Sequence, residues 1–129
     1  MIEVVNVKNC KDIGKPGDVY IGRGNNRFKE SIFANPFPIG RCVVNDEIEI
    51  FTRDGCITRF EKYITNGETV NVNGKTYRGD IAKNSLKDLK YAKRLMCWCK
   101  PYNNCHGDVI KRLVSSIYND TTLNYFGVT

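Results

Sequence analysis

No apolar run in this 129-residue chain approaches the ~20 residues that a membrane-spanning helix needs. Its first residues, Met1-Ile-Glu-Val-Val-Asn-Val7, alternate like a strand at once, without the basic segment and apolar core of a secretory signal. A soluble cytoplasmic protein with no membrane partner is expected. Internal repeats and low-complexity tracts are also missing, and histidine and tryptophan occur once each, at His106 and Trp98. A hydrophobic share of 41% over this length supports one core and is too little for two ordinary domains, so residues 1–129 read as a single domain. The six cysteines are even in number, yet in a reducing compartment they read as thiols or metal ligands before they read as a disulfide framework.

Acidic residues are scarce in one place. Between Lys83 and Arg112 eight basic residues (Lys83, Lys87, Lys90, Lys93, Arg94, Lys100, Lys111 and Arg112) face only Asp88 and Asp108. The rest of the chain carries twelve of each sign, so the whole net charge of +6 falls in this segment. Such a concentration favours an anionic partner, a nucleotide or nucleic acid, although a solvated helix face rich in lysine has the same composition.

The same segment holds Leu95-Met-Cys-Trp-Cys99 and Cys105-His-Gly-Asp108, with three of the six cysteines, the histidine and the tryptophan. It reads as a buried strand, a loop and the start of an amphipathic helix whose stripe is Val109, Ile110, Leu113, Val114 and Ile117. Upstream, residues 2–7 and 18–22 read as strands. Gly22-Arg-Gly-Asn-Asn-Arg27 reads as a glycine turn in which positive φ would aim successive N–H groups at a phosphate or carboxylate. The third glycine of a dinucleotide fingerprint is replaced by Arg27 and no helix pattern opens there, which excludes a Rossmann site. Asn35-Pro-Phe-Pro38 reads as a rigid loop presenting Asn35, with Phe37 in the core or against a ligand ring.

Residues 41–53 read as a peripheral hairpin, 54–64 as a helix stopped by Asn66-Gly67, and 69–78 as a hairpin turning at Asn73-Gly74. Residues 85–92 read as a short helix with Ser85 as its N-cap. Leu123, Tyr125 and Phe126 could pack back on the core or against a partner, a second copy in a homo-oligomer included. Strand, loop and helix units with interspersed hairpins indicate an α/β or α+β domain, three-layer-like, with a mixed sheet and a C-terminal amphipathic helix. If the strands ending at Gly22 and Cys99 are parallel neighbours, the glycine turn and the Cys-His-Gly-Asp turn face one crevice.

Gly17-Asp-Val-Tyr-Ile-Gly-Arg-Gly-Asn25, Asn35-Pro-Phe37, Arg59 through Tyr63, Cys97-Trp-Cys-Lys-Pro101 and Cys105-His-Gly-Asp108 together resemble a family of phage and bacterial proteins catalogued as a domain of unknown function (four-three-two-six). The resemblance spans most of the chain. It implies a phage or mobile-element origin and a bacterial host cytoplasm, and brings no activity with it. Residues 41–53 and 67–78 depart from the family pattern as insertions, and the loop over residues 26–34 is longer than usual.

Three chemistries suit the central motif. Cys97 and Cys99 point to one face of a strand, and with Cys105 and His106 they would complete a Cys3His set for zinc. As a catalytic group, Cys105 and His106 stand at a helix N-terminus, where a thiolate is favoured and an imidazole is kept neutral to orient an anion. Asp108 either complements the helix dipole or acts as a general base, with a nucleotide N-glycosidic bond or a water attacking a nucleotide carbon as its target. As a binding site, Gly22, Arg23, Gly24, Asn25, Arg27, Asn35, Lys100 and Gly107 would hold phosphate and base without chemistry. Trp98 or Tyr102 would stack on nucleic acid. The composite expectation is a nucleotide or nucleotide-derived anionic ligand at the glycine turn and the Cys-His-Gly-Asp helix start, either turned over or sequestered as a host nucleotide signal in an anti-defence role. A nucleic-acid-binding protein with a Cys/His zinc site is the alternative.

Overall fold

The computed structural model describes residues 2–98 and 105–125. Among these residues helices and strands are mixed, and the strands divide between two sheets, one parallel and one antiparallel.

The parallel sheet has three strands: β1 (Glu3–Asn6), β2 (Asp18–Tyr20) and β7 (Arg94–Cys97), in the order β1-β7-β2. Strand β7 pairs Glu3↔Arg94 through Asn6↔Cys97 on one edge and Asp18↔Arg94 through Tyr20↔Met96 on the other. The strands leading to Gly22 and towards Cys99 are thus parallel neighbours, and Leu95, Met96 and Cys97 are all buried. Such an unbroken apolar run is what a strand covered on both faces requires.

Arg94 ties down the start of β7. Its Nε and Nη2 each lie 2.7 Å from a carboxylate oxygen of Asp18, and Nη2 also donates to the Asp12 carbonyl at 2.8 Å. Asp18 in turn accepts the N–H groups of Gly14 and Lys15. One charged fork therefore fixes the connection between β1 and β2.

The antiparallel sheet runs β4-β3-β5-β6, built from β3 (Gly40–Val44), β4 (Glu47–Phe51), β5 (Thr69–Val72) and β6 (Lys75–Arg78). Its two hairpins fall in the segments read as hairpins over residues 41–53 and 69–78. Asn73 and Gly74 both have positive φ (52° and 88°), as a type I′ turn needs. The 41–53 hairpin is less peripheral than its weak alternation suggests. Strand β3 is an inner strand that meets β5 at Val44↔Val72 and buries Cys42 and Val44.

Helix α1 (Arg53–Asn66) starts at Thr52, whose hydroxyl accepts the Gly55 N–H at 3.0 Å, and buries Cys56, Ile57, Phe60, Tyr63 and Ile64. Helix α2 (Gly79–Ser85) and a 3-10 turn (Leu86–Leu89) replace the single short helix expected over residues 85–92. Ser85 makes no capping bond because the helix already starts at Gly79, six residues earlier. Helix α3 (His106–Tyr125) is the long C-terminal helix, and Val109, Ile110 and Val114 bury its stripe. Its start lies so close to the parallel sheet that a methyl on Gly107 would come 2.7 Å from Val4 Cγ1 and 2.9 Å from Ile21 Cδ1. One hydrophobic cluster runs through both sheets and all three helices.

The Arg94 fork holds the Asp18 carboxyl down to about 2, well below its usual value of ~3.9, against the opposing effect of burial. A carboxyl depressed by folding contributes stability that is present above its unfolded value and lost as pH falls through its folded one. Asp18→Asn should lower the unfolding free energy at pH 7, and the gap to the wild type should close between about pH 4 and pH 2 in chemical denaturation. A gap that stays constant down to pH 2 would contradict this role for the fork.

Candidate functional site

Beyond the carboxyl ends of β2 and β7 the chain encloses a cavity of about 400 Å³. Four segments line it: Gly22 and Arg23 after β2, the loop from Asn35 to Ile39, the first turn of α1 with Arg53, Cys56 and Ile57, and the pair Trp98 and His106. Ligand crevices of open α/β sheets form at this edge, where chain turns and helix starts supply unpaired N–H groups.

A hydrogen-bonded belt fixes the rim. The Trp98 indole N–H donates to Tyr20 Oη at 2.9 Å, and the Tyr20 hydroxyl donates to the Arg23 carbonyl at 2.5 Å. Arg23 Nε donates to the Asn35 carbonyl at 3.1 Å, and the Asn35 amide donates to the Cys56 carbonyl in α1 at 3.3 Å. Asn35 Oδ1 also accepts the Phe37 N–H at 2.9 Å, closing a turn across Pro36. Tyr20 stacks on Phe28 with centroids 4.3 Å apart, and Phe28 meets Trp98 edge-on at 6.4 Å. The indole is thus held from two sides, with 43% of Trp98 still exposed.

His106 is 4% exposed, and its Nε2 lies 2.7 Å from the Ile21 carbonyl, so Nε2 carries the proton and donates. Nδ1 faces Cys105 Sγ at 3.9 Å, and the Phe60 ring packs edge-on at 5.3 Å. Burial pushes the imidazole pKa down, against the upward pull of the Ile21 carbonyl. The neutral histidine expected at this helix start is therefore neutral because it is desolvated, and its N–H is engaged by the protein.

The structure brings Gly22, Arg23, Asn35 and His106 to the cavity and leaves other candidates away from it. Neither Gly22 nor Gly24 has positive φ, so the expected nest of inward N–H groups does not form there. These glycines serve close packing instead. A methyl on Gly22 would lie 2.5 Å from Tyr20 Oη, and one on Gly24 would lie 3.2 Å from the backbone nitrogen of Glu30. Asn25 accepts the N–H groups of Arg27 and Phe28 and so makes the turn, while Arg27 lies over the Phe28 ring at 5.2 Å. Cys105, Gly107 and Asp108 are not among the lining residues. Cys99, Lys100, Tyr102 and Phe126 lie outside the described residues.

Cys97 and Cys105 have Sγ atoms 3.4 Å apart. Among the described residues no group of three or more histidine, cysteine or acidic side chains could hold a metal ion.

The basic excess also distributes differently from its sequence position. Arg94 is committed to Asp12 and Asp18, and Arg112 pairs with Glu61. The cavity's two guanidinium groups, Arg23 and Arg53, both come from outside the basic segment. Arg53 and Cys56 were invisible as site residues because 41–53 reads as a hairpin with the helix starting after it. The signal was Thr52 three residues before Gly55, an N-cap that moves the helix start to Arg53. Cys56 lines the cavity as a thiol whose pKa burial raises, and its S–H donates to the Arg53 carbonyl at 3.1 Å.

Because the folded site disfavours the imidazolium, the unfolded chain takes up a proton below pH ~6.5 that the native chain refuses. Stability should therefore fall, by up to about 1.4 kcal/mol per pH unit, as pH drops from 7 towards 5. His106 is the only histidine, so this interval isolates it. His106→Gln, which keeps a donor for Ile21, should flatten the profile in urea titrations; an equal slope in both proteins would rule out the buried imidazole as its source.

Neither a curated protein nor a solved structure matches the chain. A family model does, over residues 5–116, a span that includes the antiparallel sheet, all but the first two residues of the parallel one, the cavity and the first half of α3. The protein belongs to the family described as a domain of unknown function (DUF4326).

Proposed function

We propose that the protein binds a nucleotide or nucleotide-derived anionic ligand in this cavity, and that the site is built for holding the ligand more than for transforming it. The observation that carries the reading is that Arg23, Arg53 and Trp98 all line one concave surface. Guanidinium forks match phosphate oxygens, and an indole face matches a nucleobase. Arg53 opens α1, so the positive end of a 14-residue helix adds to the attraction for an anion. The volume, about 400 Å³, lies within the ~300–1,000 Å³ of small-molecule sites and suits a ligand of single-nucleotide size.

Support for holding over turnover comes from what the polar groups already do. The His106 N–H is given to Ile21, and Cys105 and Asp108 are not in the cavity lining. A sequestering protein needs affinity and slow release, and no general base. In a bacterial cytoplasm under phage attack, withdrawing a nucleotide signal from its receptor would be an anti-defence function.

Trp98 is the sole tryptophan, so its fluorescence reads the cavity directly. The expected result is that at least one member of a panel of nucleoside mono- and diphosphates, dinucleotides and cyclic dinucleotides changes that fluorescence and raises the melting temperature. Arg23→Ala and Arg53→Ala should each weaken its binding about tenfold or more, the loss of a charged hydrogen bond of ~1.5–3 kcal/mol. Trp98→Ala, followed by calorimetry, should lose ~1–3 kcal/mol of stacking. Chromatography of the incubated ligand should show no product. Unchanged affinity in both arginine variants would remove the anion site, and a product lost in Asp108→Asn would replace holding with catalysis.

A further inference from the structure

Directly behind the cavity wall lie two thiols. Cys97 ends β7 and immediately precedes Trp98; Cys105 immediately precedes His106 and helix α3. Both are fully buried, and their Sγ atoms are 3.4 Å apart. A disulfide needs its sulfurs at about 2.0 Å, so closure asks for an approach of little more than 1 Å. The surroundings favour that chemistry. The Gly107 N–H, in the first turn of a 20-residue helix, lies 3.4 Å from Cys105 Sγ, where it favours the thiolate form that attacks. Cys97 Sγ faces the Val5 carbonyl at 3.7 Å on the neighbouring strand, which holds it beside Cys105.

We propose that Cys97 and Cys105 form an oxidative modification site, in which a hydroperoxide converts the two thiols into a disulfide that shifts Trp98 and His106 and so sets the affinity of the cavity. In the first step the Cys105 sulfur attacks one peroxide oxygen, the O–O bond breaks, and the departing hydroxide takes the thiol proton as water. In the second, the Cys97 sulfur attacks the resulting sulfenic acid. The S–S bond forms, the S–O bond breaks, and the hydroxyl leaves with the Cys97 proton as a second water. Each sulfur gives up one electron, and hydrogen peroxide is reduced to two waters. Both cavity residues follow directly on a bridged cysteine, so tightening the pair moves one or both of them. The bond itself is independent of the ligand; only its effect on affinity rests on the nucleotide reading.

The test treats the fully reduced chain with hydrogen peroxide, alkylates the remaining thiols, and reads intact mass, linked peptides and Trp98 fluorescence. The expected result is two fewer alkylated thiols, a loss of two hydrogens, a peptide linking Cys97 to Cys105, and a fluorescence change that dithiothreitol reverses. Cys99→Ser should leave the link in place, and Cys97→Ser or Cys105→Ser should abolish it. Because either serine could unfold so buried a site, the peptide map of the wild type is the deciding measurement. A link that maps to any other cysteine overturns the proposal. So does retention of all thiols at a peroxide dose that oxidises a free-thiol control. Where a nucleotide binds, its affinity should differ at least several-fold between reduced and bridged protein. A mapped link with equal affinities would overturn the coupling, and a mapped link with no nucleotide binding to either form would leave the modification site standing and remove the ligand reading.

Discussion

The fold depends on completing β7 from both sides. Among the described residues this strand is the last in the sequence and the middle one in its sheet, and a buried strand must pair its N–H and C=O groups on both edges. Its partners lie near the other end of the chain, Glu3–Asn6 and Asp18–Tyr20, so residues 7–93 are looped out in closing one edge and residues 21–93 in closing the other. Such pairing is entropically expensive and stands only with strong local support. Arg94 gives that support at one end by gripping Asp18 and the Asp12 carbonyl. At the other end Gly107 lets α3 close over Val4 and Ile21 without a methyl in the way. The ends of β7 and β2 are thereby fixed relative to the start of α3, and the cavity occupies that corner.

The second sheet positions the remaining side of the site. Strands β3 and β5 share a single register pair, Val44↔Val72, and asparagines extend the junction. Asn45 and Asn71 exchange bonds through the Asn45 N–H and side chain, at 2.8 and 2.9 Å. The Asn73 side chain does the same for the Val43 N–H at 2.9 Å. Side-chain amides here substitute for the ladder that two short hairpins cannot make alone. Strand β4 then passes through Thr52 straight into α1, so the hairpin junction determines where Arg53 stands. The junction of the two hairpins thus sets the position of one of the two arginines lining the cavity.

Elements with strong local chemistry were legible in the sequence. The turn at Asn73-Gly74, the stop at Asn66-Gly67 and the stripe of α3 follow from turn residues and periodicity, whereas the parallel pairing of β2 with β7 stood in the sequence only as a condition for a shared crevice. Less legible were features decided by packing. The glycines of Gly22-Arg-Gly24 suggested positive φ, but a glycine is equally required where a neighbouring ring or backbone approaches, and the Tyr20 hydroxyl and Glu30 do so here. Ser85 looked like a cap because the helical signal of Gly79–Ser85 is short and lacks a capping side chain. The basic run misled for another reason. Charge along a sequence does not show which groups are already paired, and two of its arginines meet carboxylates from distant segments.

The belt from Trp98 through Tyr20, Arg23 and Asn35 to Cys56 bears on what such a cavity can discriminate. Polar atoms on the rim that sequence reasoning would assign to a ligand are used to hold the rim itself. A site that reads base edges needs buried donors and acceptors that only the right base satisfies, and their mismatch is what rejects the wrong one. The Asn35 amide, the most suitable group for that task, donates to Cys56 and accepts from Phe37. Recognition then falls to guanidinium groups and an aromatic face, which respond to charge, phosphate geometry and ring area. On the nucleotide reading, selectivity would follow the number and placement of phosphates more than the identity of the base. Closure of the belt before the ligand arrives lowers the ordering that binding must impose, which favours affinity in a small site over fine discrimination.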